Sequence, residues 1–296
     1  MAKIIDGKNI ALTIRLIIKR SVLELGKKDI YPGLATIIVG NNSASRTYIK
    51  NKIKASNEVG IKSYHFDLEE KISETNLVEL INRLNKDNKV DGILVQLPLP
   101  KHLNENNIID CIKPEKDVDG FNIKNAGKIF LNRNGIAPCT PLGCLLLLRS
   151  IKVNLEGKNV VVIGRSNIVG KPIAQLLLNE NCTVTIVHSR TKNISNFTKE
   201  ADILIAAVGK PEIVKKEWLK KGSIVIDVGI NRVEKDGQSK LVGDVDFNAA
   251  SKVASYITPV PGGVGPMTIA CLLVNTAKLA CLRKNVMLPK ILKEIF

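Results

Sequence analysis

Residues 159–172 carry the sequence Asn-Val-Val-Val-Ile-Gly-Arg-Ser-Asn-Ile-Val-Gly-Lys-Pro. The apolar run Asn159–Ile163 predicts a buried strand, Gly164 a tight turn, and residues 169–178 a helix. A phosphate at the start of that helix would meet free amides and the positive end of the helix dipole. The spacing is Gly-x-Ser-x-x-x-Gly and not Gly-x-Gly-x-x-Gly, so it is a partial dinucleotide-binding signature.

Strands and helices alternate on both sides of this segment. The further predicted elements are strands at 34–39, 92–97, 183–187, 203–206 and 224–227, and helices at 45–59, 74–85, 142–151 and 267–282. Such alternation is typical of an α/β protein with a parallel sheet. It predicts two domains, one of residues 1–140 completed by the C-terminal helix 267–296, and a Rossmann-like one of residues 141–266.

Composition narrows the classes of function. The 296 residues carry a net charge of +16, which favours anionic ligands of any kind. Few aromatic residues and no recognisable binding module argue against nucleic acid. No apolar run approaches the roughly 20 residues that span a bilayer and no signal-peptide pattern is present, so we expect a cytoplasmic protein without a membrane partner. Six scattered cysteines without a Cys-x-x-Cys pair argue against a structural metal or a disulfide framework.

The nature of a bound dinucleotide is indicated by the end of the strand at 183–187. There stand His188, Ser189 and Arg190, where an NAD-binding unit would place an acidic residue for the ribose hydroxyls. A hydroxyl and a guanidinium suit a 2′-phosphate, which favours NADP over NAD. Arg165, beside the glycine turn, offers a second phosphate partner. The alternative is that Arg190 is a solvated loop cation.

Four polar residues are candidates for catalysis in the first domain. Tyr48 and Lys52 lie four residues apart in a helical stretch, which places phenol and ammonium on one face. A lysine beside apolar surface can have its pKa lowered and act as an acid or a base, although a solvated helix face is the alternative. Gln96 ends a strand, where we expect it to hydrogen-bond a catalytic group or a substrate, with a polar residue that only caps the strand as the alternative. Asp117 and Asp119 precede a glycine turn. Only one of these two carboxylates is expected to face a pocket, and a turn without function is the alternative.

Residues 257–268 read Ile-Thr-Pro-Val-Pro-Gly-Gly-Val-Gly-Pro-Met-Thr. Three prolines stiffen this segment, and three glycines let its backbone come close to a flat or anionic group. We therefore expect a ligand-contacting loop that opens a helix, with a tight connection between packed elements as the alternative.

Six of these segments together resemble the bifunctional methylenetetrahydrofolate dehydrogenase/cyclohydrolase family across nearly the whole chain. In family order they are Tyr48-Ile-Lys-Asn-Lys-Ile-Lys-Ala, Asp91-Gly-Ile-Leu-Val-Gln-Leu-Pro-Leu-Pro, Lys116-Asp-Val-Asp-Gly, Pro138-Cys-Thr-Pro, Gly164-Arg-Ser-Asn-Ile-Val-Gly and residues 258–268. The resemblance implies an α/β folate-binding catalytic domain and a Rossmann-like NADP-binding domain. It also implies NADP-dependent oxidation of 5,10-methylenetetrahydrofolate to the methenyl cation and hydrolysis to 10-formyltetrahydrofolate in one folate cleft, as part of one-carbon metabolism.

The resemblance also implies roles for the residues that match the motifs. Lys52 would be the acid/base of the hydrolysis, Gln96 would tune it, Tyr48 would position or stack on folate, and Asp119 would hold the pterin. All four are expected to be catalytic, and the last three also to bind substrate. Further substrate contacts are expected at Pro261, Gly262 and Gly263, and cofactor contacts at Gly164, Arg165, Ser166, Ser189, Arg190 and Ile230. A homodimer is implied in the same way.

Two other readings remain open at this point. A short-chain-type dehydrogenase also uses a Tyr-x-x-x-Lys pair, but there the pair follows the glycine turn in the same sheet. Here Lys52 precedes Gly164 by 112 residues. The second alternative is a non-catalytic module that senses NADP or binds folate, which an absorbance assay would distinguish.

Overall fold

The computed structural model describes residues 1–235, 238–293 and 295. In these residues the strands are β1 (Lys3–Ile4), β2 (Gly33–Val39), β3 (Lys62–Leu68), β4 (Gly92–Val95), β5 (Asn159–Ile163), β6 (Thr183–Val187), β7 (Ile203–Ala206), β8 (Ile224–Asp227), β9 (Asn231–Lys235), β10 (Gln238–Val242) and β11 (Tyr256–Ile257). The helices are α1 (Gly7–Gly26), α2 (Ser43–Val59), α3 (Glu74–Lys86), α4 (Glu105–Cys111), α5 (Ile123–Phe130), α6 (Cys139–Ser150), α7 (Gly170–Asn179), α8 (Ile194–Thr198), α9 (Phe247–Ala250), α10 (Val264–Arg283) and α11 (Lys290–Lys293).

The chain divides into two compact units. The six-stranded unit consists of Met1–Ala11 and Thr140–Thr268, and the three-stranded unit consists of Leu12–Cys139 and Ile269–Phe296. The sequence placed the first residues in the other domain. They fold with the six-stranded unit because β1 pairs in parallel with β11, with Lys3 opposite Tyr256. The assignment of folate and NADP to the two domains stays a prediction at this point.

In the three-stranded unit the parallel strands follow the order β3-β2-β4. The central strand β2 is buried along its whole length. Helix α3 buries Leu77, Leu80, Ile81 and Leu84, the spacing of one helical face, against this sheet's core. Strand β3, whose polar and apolar residues alternate along a partly exposed edge of the sheet, was not predicted, because the prediction rested on continuous apolar runs. The predicted helix at 74–85 is confirmed within one residue at its C-terminal end.

Charged groups also hold the three-stranded unit together. The Asp91 carboxylate, almost fully buried, accepts hydrogen bonds from Gly33 N at 2.9 Å and from Arg283 Nη1 at 2.7 Å. Arg283 also donates to Val90 O at 2.6 Å. The end of α10 is thereby fastened to the start of β4, which places the strand that leads to Gln96.

The six-stranded unit contains a parallel sheet in the order β1-β11-β8-β7-β5-β6. Strands β5 to β8 have the bounds predicted from the sequence. Ile163 at the end of β5 lies opposite Val187 of β6 and Ala206 of β7. The chain thus leaves β5 toward β6 on one side and later returns to β7 on the other. Ligands of open parallel sheets bind beside the carboxyl ends of strands at such a point.

Helix α10 begins at Val264, three residues before its predicted start, and has 20 residues. By length and composition it is long and apolar enough to cross a membrane. The expectation that no apolar run approaches the length of a membrane span was therefore wrong for this helix. Of its most apolar 18-residue window, 72% is buried inside the protein. Burial of this extent is typical of the core helix of a globular protein.

Candidate active site and nucleotide site

Lys52 occupies the centre of a polar cluster in the three-stranded unit. It lies on α2, which begins where the Asn42 side chain accepts a hydrogen bond from Ser45 N. The Lys52 side chain is only 5% exposed, although two lysines on the same helix, Lys50 and Lys54, are exposed. The structure therefore excludes the alternative that Lys52 belongs to a solvated helix face.

Gln96 supplies the hydrogen-bond partner of that lysine. Lys52 Nζ donates to Gln96 Oε1 at 3.1 Å, while Gln96 Nε2 donates to Leu97 O at 2.6 Å. The backbone of Gln96 is fixed as well, because its N–H donates to Ile37 O at 2.9 Å. The amide oxygen is thus directed at the lysine by the bond that its own nitrogen makes.

Tyr48 lies one helical turn before Lys52 on the same face of α2. The ammonium of Lys52 sits 4.8 Å from the centroid of the Tyr48 ring, within the range of a cation–π contact. The i, i+4 spacing seen in the sequence therefore brings the two groups into contact. Tyr48 is partly exposed, so one part of its ring remains accessible to a ligand.

The segment 116–119 carries the carboxylate of the cluster. It runs beside β4, since Ile93 N donates to Lys116 O at 2.7 Å and Ile93 bridges to Asp117 in parallel. The buried Lys116 ammonium donates to two carbonyls at the end of α3, Leu84 O at 2.8 Å and Asp87 O at 2.6 Å. Burial lowers the pKa of Lys116 to about 8. This lysine therefore anchors the segment to a helix end.

Asp117 and Asp119 have separate tasks, as the sequence suggested. Asp117 is buried and accepts hydrogen bonds at 2.9 Å from Gly120 N, Asn122 N and Asn125 Nδ2, so it shapes the turn. Burial raises the pKa of Asp117 to about 6 despite these bonds. Asp119 is partly exposed and interacts electrostatically with Lys52. It is the carboxylate that faces the cluster.

The electrostatics of the cluster centre on one buried ammonium. Burial lowers the pKa of Lys52, because a charged amine is poorly solvated there, and the negative charge of Asp119 opposes the shift. Burial raises the pKa of Asp119 in turn, and the Lys52 charge opposes that shift. An amine whose pKa is lowered from its usual range takes part in proton transfer more readily than an exposed lysine does.

Cys139 and Asn275 complete the surroundings of Asp119, and sequence reasoning gave neither a role. The buried Cys139 thiol donates to Val118 O at 3.3 Å and interacts with Asp119, and burial raises its pKa well above the usual value. Asn275 Nδ2 donates to Val118 O at 2.8 Å and to Ala137 O at 3.0 Å. A lone asparagine within the apolar run 269–280 was the signal that could have identified it.

The glycine turn of the six-stranded unit lies at the end of β5. Gly164 has φ +122°, and a Cβ there would collide with Ala207 O, while a Cβ at Gly170 would collide with Gly164 O. The expectation of free amides at the start of α7 is wrong for this turn. Ser166 Oγ accepts hydrogen bonds from Val169 N at 3.1 Å and Gly170 N at 3.2 Å, so these two amides at the start of the helix are already paired.

The basic side chains of the nucleotide site follow adjacent strands. Gly164 N donates to Val187 O at 2.8 Å, which aligns the turn after β5 with the turn after β6. The side chains of Arg165, Ser189 and Arg190 follow these two strands and are exposed. Their turn residues thus lie at one edge of the sheet, with hydroxyl and guanidinium groups available to phosphates.

The proline- and glycine-rich loop lines a pocket in the same unit. The pocket is partly open to solvent and is lined by residues 227–230, Leu241 and residues 259–266. Gly262 has φ +108°, and its carbonyl accepts from Lys8 N at 2.8 Å. A Cβ at Gly263 would lie 2.6 Å from Pro259 O. The structure places Ile230, 55% exposed, together with Pro261, Gly262 and Gly263 at this pocket.

Comparisons with known proteins agree with this arrangement. The family description "Tetrahydrofolate dehydrogenase/cyclohydrolase, catalytic domain" matches residues 5–119, and the description of its NAD(P)-binding domain matches residues 138–284. The bifunctional protein FolD 1/3 of Ruegeria pomeroyi is 55% identical over 285 residues, 96% of each chain.

Solved structures give the same result over the whole fold. The crystal structure of the bifunctional enzyme FolD from Campylobacter jejuni has a TM-score of 0.93 at 50% identity, over 96% of this chain and 100% of that one. The Trypanosoma brucei enzyme, complexed with NADP cofactor and inhibitor, has a TM-score of 0.93 at 40% identity, over 96% and 99% of the two chains. On this evidence the chain belongs to the tetrahydrofolate dehydrogenase/cyclohydrolase family.

Proposed function

We propose that Lys52 is the general acid and base of the cyclohydrolase reaction, and that Gln96, Tyr48 and Asp119 place it against the folate. One observation carries this proposal: the buried Lys52 ammonium lies 3.1 Å from Gln96 Oε1 and 4.8 Å from the Tyr48 ring centroid. Lys116, a buried lysine that anchors the fold, donates to two backbone carbonyls, whereas the Lys52 ammonium meets a side-chain amide and an aromatic ring.

The whole enzyme has two activities. It oxidises 5,10-methylenetetrahydrofolate with NADP to the methenyl cation, and it hydrolyses that cation to 10-formyltetrahydrofolate. The chain is therefore an oxidoreductase and a hydrolase of folate one-carbon metabolism, with folate derivatives as its substrates.

In the hydrolysis Lys52 first accepts a proton and then donates it. A water molecule adds through its oxygen to the methenyl carbon, and the neutral Lys52 amine takes one of its protons. The resulting ammonium returns that proton to N5 as the bond between N5 and the carbon breaks. The remaining hydroxyl proton leaves to solvent as the formyl group forms on N10. Because burial lowers the pKa of Lys52, the amine is able to accept the first proton.

Asp119 binds the pterin end of the folate in this proposal. A carboxylate accepts two hydrogen bonds, which suits the amino-pyrimidinone edge. Asp117 and Asn275 hold the chain on either side of it, through the turn at 120–125 and the Val118 carbonyl. These bonds hold the backbone on both sides of Asp119.

The six-stranded unit binds NADP, which supplies the hydride acceptor. Its residues fit such a cofactor, because Gly164 and Gly170 let the backbone turn closely and three exposed donors follow two adjacent strands. In this proposal Arg165 and Ser166 contact the linking phosphates, and Ser189 and Arg190 contact the 2′-phosphate. Ile230 and the loop at 261–263 border the reacting rings, and alignment there is the protein's contribution to hydride transfer.

An absorbance assay tests the function. Purified protein is given 5,10-methylenetetrahydrofolate with NADP or with NAD, and formation of the methenyl compound is followed. Decay of added methenyl compound is then compared with a control without enzyme. We expect methenyl formation with NADP and accelerated decay. Formation without accelerated decay would contradict the hydrolytic role of the Lys52 cluster. If neither signal appears, the protein is a non-catalytic binding module.

We also propose that two copies of the chain associate. In the described residues β6 lies at one edge of the six-stranded sheet, with Ile186 40% exposed and nearby Leu178 of α7 53% exposed. Exposed edge strands with apolar side chains are suited to pairing with a second chain. Sedimentation should give a dimer, Ile186→Lys a monomer, and Leu282→Lys, an exposed leucine of the other unit, a dimer.

The cytoplasm is the proposed location of the enzyme. All six cysteines are free, and five of them are buried. Unpaired buried thiols are typical of proteins from reducing compartments. Cell fractionation followed by the dehydrogenase assay tests this, with activity expected in the cytoplasmic fraction.

A further inference from the structure

Two buried carboxylates lie at the pocket end of the six-stranded sheet, and the proposed reaction gives them no task. Asp227 ends β8 and is 3% exposed, and Asp244 follows β10 and is fully buried. In the described part of the chain no lysine or arginine forms an ion pair with either. Burial raises the pKa of Asp227 to about 7. The oxygens of both carboxyl groups instead accept hydrogen bonds from the polypeptide.

Asp244 collects donors from two different loops. Its Oδ2 accepts from Val208 N at 2.6 Å and Gly209 N at 3.0 Å, and its Oδ1 accepts from Lys210 N at 2.9 Å. Oδ1 also accepts from Asn231 Nδ2 at 2.9 Å. One side chain thus holds the loop after β7 against the segment after β8.

Asp227 supports the same arrangement from the neighbouring strand. Its Oδ1 accepts from Gly229 N at 3.0 Å and from Asp244 N at 2.9 Å, and its Oδ2 accepts from Val245 N at 2.9 Å. A Cβ at Gly229 would collide with the Asp244 carboxylate, and a Cβ at Gly243 would collide with the Asp227 carboxylate. Both glycines are therefore needed for the carboxylates to reach the backbone.

These bonds secure the chain immediately before and after Ile230. Gly229 is held by Asp227, and the Asn231 side chain is held by Asp244, while the Ile230 side chain itself projects into the pocket at 55% exposure. The pocket wall formed by residues 227–230 is thus positioned by two carboxylates that do not need to touch a ligand. Hydrogen bonds to an ionised acceptor are shorter and stronger than neutral ones, which suits them to hold a loop.

We propose that Asp244, supported by Asp227, is a positioning residue for hydride transfer. This inference rests on the proposed function: the carboxylate fixes residues 208–210 and 229–231 so that Ile230 holds the nicotinamide ring in its reactive position. The cofactor's phosphates are contacted by the separate loops at 165 and 189–190. Loss of Asp244 should therefore affect the rate of transfer more than the binding of NADP.

Asp244→Asn is the decisive variant, because it keeps the volume but turns an amide N–H₂ toward backbone N–H donors. A misplacement of about 1 Å is able to reduce a rate by about 100-fold. We expect the dehydrogenase kcat to fall by about 10- to 100-fold, with a much smaller change in the KM for NADP. Cyclohydrolase activity, whose proposed residues lie in the three-stranded unit, should stay at the wild-type level.

Asp202→Asn is the matched control. Asp202 lies in the same unit at the opposite end of β7, where it accepts from Asn159 N at 3.0 Å and pairs with Lys220 at 2.7 Å. This variant removes a hydrogen-bonded carboxylate at the end of the sheet away from the pocket, so the dehydrogenase kcat should not change. Equal loss in both variants would mean that any lost carboxylate in this unit has the same effect, which would overturn the inference.

Asn231→Ala covers the case in which Asp244→Asn does not fold. It removes a single bond to Asp244 and leaves both buried carboxylates in place, and we expect a several-fold fall in the dehydrogenase kcat. An unchanged dehydrogenase kcat, or a parallel loss of both activities, would overturn the positioning role. Wild-type protein without dehydrogenase activity would instead overturn the proposed function, so the two failures are distinguishable.

Discussion

The two units hold their functional groups in opposite ways. In the three-stranded unit Lys52, Gln96 and Tyr48 touch one another, and the lysine is buried. In the six-stranded unit Arg165, Ser189 and Arg190 are exposed, and backbone geometry shapes the pocket. Proton transfer needs a group whose pKa has been shifted, whereas hydride transfer to a cofactor needs alignment. The burial of side chains therefore matches the chemistry that we propose for each unit.

Removing the buried amine should produce the largest effect. Lys52→Met retains most of the side-chain length and no acid/base group. Since general acid/base catalysis contributes about 10²- to 10⁴-fold, we expect the cyclohydrolase kcat to fall by about 1000-fold. Dehydrogenase activity should remain measurable. The cyclohydrolase rate is measured as the decay of methenyltetrahydrofolate, and the dehydrogenase rate as its NADP-dependent formation.

Lys54→Met is the control for this experiment. Lys54 lies two residues further along α2 and is exposed, so its loss should leave both activities unchanged. Hydrolysis at the wild-type rate by the Lys52 variant would exclude this lysine from the mechanism. The three-stranded unit would then lack the buried proton-transfer group that distinguishes it from the six-stranded unit.

Asp119→Asn should have the next largest effect, because it changes substrate binding and the lysine together. A hydrogen bond to a charged group contributes about 1.5–3 kcal/mol, so we expect the KM for folate to rise by about 10- to 100-fold. The charge of Asp119 raises the pKa of Lys52 against the effect of burial. Without that charge the pKa falls further, so less alkaline conditions suffice to deprotonate the amine.

The rise of the cyclohydrolase kcat with pH should therefore move to lower pH in Asp119→Asn. Rates measured in steps between about pH 5 and 9 would reveal the displacement. A rise that moves to higher pH would contradict the electrostatic coupling of Asp119 to Lys52, even if folate binding weakens as expected.

Arg190→Ala tests the exposed region and should have a smaller effect. An exposed guanidinium on a phosphate is screened by solvent, so we expect the KM for NADP to rise by only about 10-fold. The KM for NAD, which lacks the 2′-phosphate, should stay unchanged. Lys192→Ala, an exposed cation two residues away, is the control for general charge. Equal losses for NADP and NAD would place Arg190 elsewhere than at the 2′-phosphate.

The sequence predicted the buried parts of the fold better than the exposed ones. Strands β5 to β8 were located correctly because central strands of a parallel sheet read as continuous apolar runs. Strand β3 was missed because the prediction rested on continuous apolar runs, although its alternation of polar and apolar residues is itself a strand signal. Strand β1 was missed because two residues carry no periodicity. Pairing of β1 with β11 depends on contacts some 250 residues apart, which local patterns do not contain.

The candidate sites show the same division. The contact of Tyr48 with Lys52 follows from helical spacing, whereas the bond to Gln96 spans 44 residues and needed the family resemblance. The amides of Val169 and Gly170 at the start of α7 are not free, because both donate hydrogen bonds to the Ser166 hydroxyl. Sequence patterns reveal which groups are available but not which of them satisfy each other.

Asn275→Ala should have the smallest effect on activity. It tests the buried site indirectly, because Asn275 bonds the backbone beside Asp119. The substitution leaves Ala137 O without the Asn275 donor and Val118 O with only the weak Cys139 thiol, at a cost of about 2 kcal/mol in the free energy of unfolding. Asp119 follows Val118 directly, so we also expect a few-fold fall in cyclohydrolase kcat. Thr276→Val, which loses only a bond to Leu272 O within α10, should leave that rate unchanged. Denaturant unfolding and the methenyl decay assay measure the two effects, and an Asn275 variant that loses stability but keeps full activity would mean that Asp117 alone holds Asp119 in place.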